Sequence, residues 1–109
     1  AKKNKGKINI FNDIKKAAAG NNVLFTDKVI SMNNKVNKSK KLKDFKKFKI
    51  TSKVMSYLKP SGIFLHCLPR GSEVSNEVFL GKQSKVWQQA LNRIYVQKSI
   101  LLYCFEKLR

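Results

Sequence analysis

The sequence predicts an α/β fold: a small parallel sheet with flanking helices that ends in a long helix. Two apolar runs, residues 22–26 and 62–68, contain branched and aromatic residues in succession, as in strands that are buried on both faces. Apolar residues recur at helical spacing over residues 85–108 and predict the final helix. Asp27 follows the first run, and the second ends in a histidine, a cysteine and a proline. Ligands of parallel sheets bind beyond the carboxyl ends of the strands.

The start of the chain predicts one more strand and a short helix. Isoleucines alternate with polar residues over 7–12, which is typical of a strand. Asp13 can cap a helix over residues 14–19, and Gly20 can end it. This order of strand, helix and strand favours a parallel sheet.

The middle of the chain predicts a long loop and two helices. Residues 28–41 form the loop, and loops of this length in compact domains are commonly functional. Apolar residues at helical spacing predict a lysine-coated amphipathic helix over 40–48. The next helix ends before Pro60 and places Val54 and Leu58 in the core.

The last third of the chain predicts a turn at 71–72, a short helical segment over 73–79 and the long helix over 85–108. That helix is apolar on more than one side, so we expect it to be buried against two surfaces. No obvious partner for it lies in this sequence. Cys104, on the same helix, is expected to be buried as well.

The strong positive charge suggests a polyanionic partner, but its distribution argues against a specific one. The formal charge is +18, from 24 basic and 6 acidic side chains. The excess is nearly all lysine, spread along the chain among asparagines, isoleucines and phenylalanines, as an adenine- and thymine-rich coding bias would produce. No recognisable motif of arginines and exposed aromatic residues accompanies it. We expect salt-sensitive, non-specific adhesion and no specific nucleic-acid partner.

Several features bear on the cellular compartment. The sequence opens at Ala1 without an apolar signal region, and no apolar run has the length of a transmembrane helix. We therefore expect no membrane association and a chain that lacks its own beginning. Cys67 and Cys104 lie far apart, so a disulfide is not expected and a reducing cytoplasm is the natural compartment. No paired cysteine or histidine spacing predicts a metal site.

Four residues at the predicted strand ends and on the last helix could carry chemistry. Asp27 could bind a substrate ammonium group or only cap a loop. Cys67 could line a crevice or be a small buried hydrophobic residue. His66 precedes Cys67 directly and points to the opposite face of a strand, so we expect a structural hydrogen bond for it rather than a role as base. Arg93, one of three arginines, could bind a phosphate or be an ordinary surface cation.

Four segments of the sequence resemble one enzyme family. Residues 27–33 resemble the aspartate-to-Ser-Met-Gly loop of ornithine carbamoyltransferases, and residues 66–69 are their His-Cys-Leu-Pro tetrapeptide. Residues 73–79 resemble the segment that follows it, and residues 92–93 resemble the start of the family's last helix. The resemblance implies that residues 1–109 are an incomplete, Rossmann-like ornithine-binding domain without the carbamoyl-phosphate-binding domain.

The resemblance also implies an activity and a site. The family transfers the carbamoyl group of carbamoyl phosphate to the δ-amine of L-ornithine, giving citrulline and phosphate, without a cofactor or metal. The residues implied to bind L-ornithine are Asp27, Ser31 and Met32. Cys67 is implied to be the catalytic residue, beside the reacting amine. Cys67, the backbone carbonyl of Leu68, and Arg93 are implied to bind carbamoyl phosphate. His66 is implied to support these residues through a structural hydrogen bond, without contacting the substrates.

Departures from the family leave alternatives open. Asn33 stands where the loop usually has glycine, and Leu91 replaces an acidic residue. The family's Ser-Thr-Arg-Thr-Arg phosphate loop does not occur in the sequence. We therefore expect this chain alone to be inactive, and the full enzyme to be a homotrimer with shared sites. The alternatives are a carbamoyltransferase for putrescine or an acylated ornithine, and a basic structural or nucleic-acid-binding protein derived from such an enzyme.

Overall fold

The computed structural model describes residues 2–30 and 37–107. Strands β1 (Val23–Thr26) and β2 (Ile63–His66) form a parallel sheet, with helices packed around it. The α-helices in these ranges are α1 (Ile14–Ala18), α2 (Lys38–Phe45), α3 (Ser52–Met55), α4 (Asn76–Phe79) and α5 (Val86–Lys107). Turns of 3-10 helix lie at Lys2–Asn4 and Lys46–Phe48. The predicted α/β class with a long final helix is confirmed.

The sheet register decides which residues meet at the carboxyl ends of the strands. Thr26 of β1 lies opposite His66 of β2, so both strands end at the same level. The other edge of β2 pairs with the segment before α5. There the Phe64 N–H donates to the Gln83 carbonyl over 2.8 Å, and the Lys85 N–H donates to the Phe64 carbonyl over 2.8 Å.

Local signals account for the first helix. The Asp13 carboxylate accepts a hydrogen bond of 2.8 Å from the Lys15 N–H and satisfies one of the free donors at the start of α1. Gly20 has a φ of 69°, a conformation that glycine adopts without steric cost, and the helix has ended before it. The predicted cap and stop are confirmed.

The core lies between β2 and the short helices. Phe64 of β2 and Val86 at the start of α5 are fully buried. The predicted core residues Val54 and Leu58 are 6% and 7% exposed, which confirms them. The buried apolar residues are Ala18, Ile50, Val54, Met55, Leu58, Phe64, Val74, Val78, Phe79 and Val86.

The expected burial of both faces of the strands is wrong. In β2, buried residues alternate with partly exposed ones. In β1, Val23 and Phe25 remain 49% and 55% exposed. No element in the described ranges covers that side of β1, because the packed helices lie on the other face.

The predicted first strand over residues 7–12 is also wrong, since these residues have no regular structure. Ile8 and Ile10 are 76% and 91% exposed. An alternating pattern forms a strand only when a neighbouring backbone supplies hydrogen-bond partners, and the described residues offer none there. Residues 73–79 are helical only from Asn76, because Val74 instead bridges to Ile50.

Helix α5 is exposed along most of its length, contrary to the expectation of burial on two sides. Val86 is its only buried residue in the described range. Trp87 and Leu101 are 60% and 59% exposed. Cys104 is exposed too, so its predicted burial is wrong for the same reason: nothing in the described ranges packs along this part of the helix. No described helix is long and apolar enough to cross a membrane.

Candidate active site

The parallel register brings Asp27 and Cys67 together. Since Thr26 and His66 are paired, the next residue of each strand leaves the sheet at the same edge. The Cys67 thiol donates a hydrogen bond of 3.0 Å to Asp27 Oδ1. The Lys28 backbone N–H donates to the same oxygen over 2.7 Å. Two residues singled out from the sequence, 40 positions apart, are therefore in direct contact.

The contact sets the charge state of both groups. Hydrogen bonds from the Cys67 thiol and the Lys28 amide lower the pKa of Asp27. Burial and the hydrogen bond to Asp27 raise the pKa of Cys67. At neutral pH the pair is an exposed carboxylate beside a protonated thiol. Such a pair can attract an ammonium group and donate a hydrogen bond, but the thiol is a poor nucleophile because it is un-ionised.

A buried network lies directly behind this pair. His66 Nε2 lies 2.8 Å from Glu73 Oε1, and the two side chains are 0% and 5% exposed. The Gly71 N–H donates to the same carboxylate oxygen, and the Val29 N–H donates to Oε2 over 3.4 Å. The Glu73 carboxylate therefore joins the loop after β1 to the loop after β2.

The sequence patterns did not predict that Glu73 is part of the site. Burial on its own would raise the pKa of Glu73, but the hydrogen bonds from the Gly71 amide and the His66 ring outweigh it, so the pKa is lowered. Two signals pointed to Glu73: it is one of 6 acidic residues in a strongly basic chain, and it begins the segment 73–79 that resembles the carbamoyltransferase family. Its partner His66 lies on a strand seven positions earlier, and no local pattern links the two.

Of the other predicted site residues, Leu68 and Arg93 take no part in the hydrogen bonds that join Asp27 to Cys67 and His66 to Glu73. Leu68 is 44% exposed just beyond Cys67. Arg93 lies on the exposed part of α5, one helical turn after Gln89. Ser31 and Met32 lie outside the described residues. Within the described ranges, no group of three or more histidine, cysteine or acidic side chains could hold a metal ion.

Comparison with known proteins decides the family. Residues 1–104 match the aspartate/ornithine carbamoyltransferase family in its Asp/Orn binding domain. The chain belongs to the aspartate/ornithine carbamoyltransferase family.

The similar curated proteins within this family are ornithine carbamoyltransferases. An ornithine carbamoyltransferase of Methanococcus maripaludis is 48% identical, in a match that covers 97% of this chain and 36% of that protein. The ornithine carbamoyltransferase of Helicobacter hepaticus is 47% identical over 100 residues, 90% of this chain and 30% of that protein. The chain thus spans about a third of the length of these relatives.

Solved carbamoyltransferase structures agree with the fold. The anabolic ornithine carbamoyltransferase of Campylobacter jejuni superposes with a TM-score of 0.78 at 38% identity, over 87% of this chain and 32% of that one. The ornithine carbamoyltransferase of Thermus thermophilus superposes with a TM-score of 0.72 at 38% identity, over 85% of this chain and 30% of that one. The resemblance inferred from the motifs is confirmed.

Proposed function

We propose that residues 1–109 form the ornithine-binding part of an ornithine carbamoyltransferase, whose carbamoyl-phosphate-binding domain lies outside these residues. The observation that carries the proposal is the contact between Asp27 and Cys67 at the paired ends of β1 and β2. In a chain that belongs to this family, the edge of the sheet where ligands are expected carries an ionised carboxylate and a protonated thiol.

In this proposal each side of the site has one substrate. The residues assigned to L-ornithine are Asp27, Ser31 and Met32. Asp27 is suited to an ammonium group because it is both exposed and ionised. Cys67, the Leu68 carbonyl and Arg93 bind carbamoyl phosphate, and the planar Arg93 guanidinium can donate two parallel hydrogen bonds to phosphate oxygens.

The proposed reaction needs positioning rather than covalent catalysis. The neutral δ-amine of ornithine attacks the carbamoyl carbon, so a C–N bond forms and the C–O bond to phosphate breaks. Phosphate leaves with the electron pair and takes up the proton that the nitrogen loses, which gives citrulline. Holding the two substrates in contact and stabilising the departing phosphate lower the barrier. Cys67 remains a hydrogen-bond donor throughout, in keeping with the raised pKa of its thiol. No cofactor takes part.

The wider context is part of the same proposal. The exposed apolar residues of α5, Trp87 and Leu101 among them, support a covering domain outside residues 1–109. We infer a homotrimer with shared sites, acting in arginine metabolism in the cytoplasm. Specific nucleic-acid or membrane partners are not part of the proposal, since the positive charge is spread over the whole chain.

The experiment that tests the proposal compares two forms of the chain. One is the 109 residues alone, and the other is a graft in which they replace the matching segment of the Campylobacter jejuni enzyme. We expect citrulline from the graft and none from the chain alone, because the second substrate site is incomplete without the other domain. The unmodified Campylobacter enzyme is the positive control.

Three results would count against the proposal. Citrulline production by the chain alone would contradict the division into two parts. A folded graft without activity would contradict the ornithine role. A graft that carbamoylates putrescine or an acylated ornithine in preference to ornithine would favour the alternative amine, to which the change at Asn33 already draws attention.

A further inference from the structure

Gln89 lies where the hydrogen bonding between β2 and the segment before α5 would otherwise be interrupted. Phe64 uses both its backbone N–H and its carbonyl to pair with Gln83 and Lys85. In a parallel ladder the next donor, the His66 N–H, would bond to the Lys85 carbonyl. That carbonyl instead accepts the Gln89 N–H over 2.8 Å at the start of α5.

The side chain of Gln89 supplies the missing acceptor. Gln89 Oε1 accepts a hydrogen bond of 3.0 Å from the His66 N–H. His66 is 1% exposed, so an unpaired N–H there would be costly. The Gln89 backbone N–H thus includes the Lys85 carbonyl in the hydrogen bonding of the helix. The Gln89 side chain then provides the acceptor that the Lys85 carbonyl would otherwise be for the His66 N–H. This is how α5 can begin directly beside a buried strand.

The same contact links two of the residues that the proposed function assigns to carbamoyl phosphate, Cys67 and Arg93. His66 immediately precedes Cys67 on the chain, and Gln89 precedes Arg93 by four positions, one turn along the same face of α5. We propose that Gln89 is a positioning residue that holds Cys67 and Arg93 at a defined separation. The inference rests on the proposed function, because only that function gives the separation a consequence for a substrate.

The Gln89 contact reaches Asp27 only indirectly, through Cys67. Asp27 is held by the Lys28 amide, by the Cys67 thiol and by the end of β1, on the opposite edge of β2 from Gln89. Loss of the Gln89 acceptor should therefore loosen α5 against β2 and disturb carbamoyl phosphate more than ornithine. A defect in overall folding would affect both substrates alike.

The kinetic test uses Gln89→Leu, which removes the acceptor, and Gln89→Glu, which keeps an oxygen in place, both in the graft. We expect Gln89→Leu to raise the KM for carbamoyl phosphate about tenfold and the KM for ornithine less than about twofold. Gln89→Glu should restore most of the loss. The matched control is Gln88→Leu, since the neighbouring Gln88 is exposed and, among the described residues, its side chain bonds only to Asn92 along the helix.

A second measurement does not depend on activity. Amide hydrogen exchange at His66 in the 109-residue chain should be faster in Gln89→Leu than in the unsubstituted chain or in Gln88→Leu. Unchanged exchange would overturn the contact. Equal effects on both KM values, or no rescue by Gln89→Glu, would overturn the positioning role. If exchange responds but the unsubstituted graft makes no citrulline, the proposed function fails, and the positioning role fails with it.

Discussion

The Cys67 thiol donates a hydrogen bond to Asp27 Oδ1 over 3.0 Å, although the two residues are 40 positions apart in sequence. The contact follows from the parallel pairing of β1 and β2, which places the residue after each strand at the same edge. Both charge states depend on it: the pKa of the carboxyl is lowered and that of the thiol is raised. Substitution of either residue should therefore change the properties of the other.

Replacement of Asp27 by alanine in the graft should impair ornithine binding selectively. The carboxylate is the group proposed to bind the substrate ammonium, and a charge-assisted hydrogen bond of this kind is worth about 1.5–3 kcal/mol. We expect the KM for ornithine to rise by at least about tenfold, with a much smaller change for carbamoyl phosphate. Steady-state kinetics with each substrate varied in turn measures both. Asp44→Ala, on the exposed surface of α2, is the control, and equal effects on both substrates would refute the assignment.

Alkylation of Cys67 should show the raised pKa of its thiol. Only the thiolate reacts with iodoacetamide, so in a Cys104→Ser background the midpoint of the rate profile should lie above the ordinary thiol pKa of 9.0. Asp27→Asn removes the negative charge next to the thiol and should move the rate profile to lower pH. The shift should be partial, because burial continues to raise the pKa of Cys67. A profile that is identical with and without the Asp27 charge would contradict the contact.

Replacement of Glu73 by glutamine should destabilise the fold in a pH-dependent way. The variant weakens hydrogen bonds to the buried His66 ring and the Gly71 amide, at a cost of about 1–3 kcal/mol. Because the pKa of Glu73 is lowered in the folded state, its contribution is complete above the ordinary glutamate value of 4.5. It is lost as the pH falls through the lower folded value.

Denaturant unfolding at neutral and at successively more acidic pH tests this dependence on Glu73. The difference in the free energy of unfolding between the unsubstituted chain and the Glu73→Gln variant should shrink with acidity. Glu106→Gln, on the exposed end of α5, should show little difference at any pH. A difference that stays constant down to strong acid would mean that the charge of Glu73 is not what stabilises the fold.

The core should respond to truncation at Phe64 far more than at an exposed phenylalanine. Phe64 is 0% exposed, and Phe64→Ala should cost about 3–5 kcal/mol, enough to unfold much of a small domain. Phe105 on α5 is 66% exposed, and Phe105→Ala should change the unfolding free energy by less than about 0.5 kcal/mol. Thermal unfolding followed by circular dichroism compares the two. Similar losses would mean that α5 is packed in solution.

Local patterns predicted the elements that local interactions stabilise. The cap at Asp13 and the stop at Gly20 each act within a few residues, and both are present. The alternating pattern around Ile8 and Ile10 predicted a strand that does not form. A strand needs hydrogen bonds from a neighbouring backbone, and a sequence pattern does not show whether one is present. The predicted burial of Cys104 was wrong for a similar reason, because an apolar helix face is buried only where another surface packs against it.

The sequence by itself determined the two strands, the residues that end them and the resemblance to the carbamoyltransferase family, since each is written in a short run of residues. The tertiary structure alone decided that Asp27 and Cys67 touch, that Glu73 lies behind them, and that Gln89 joins β2 to α5. The physical reason is that these contacts depend on strand register and on which backbone groups remain unpaired. Both are settled only when distant segments of the chain pack together.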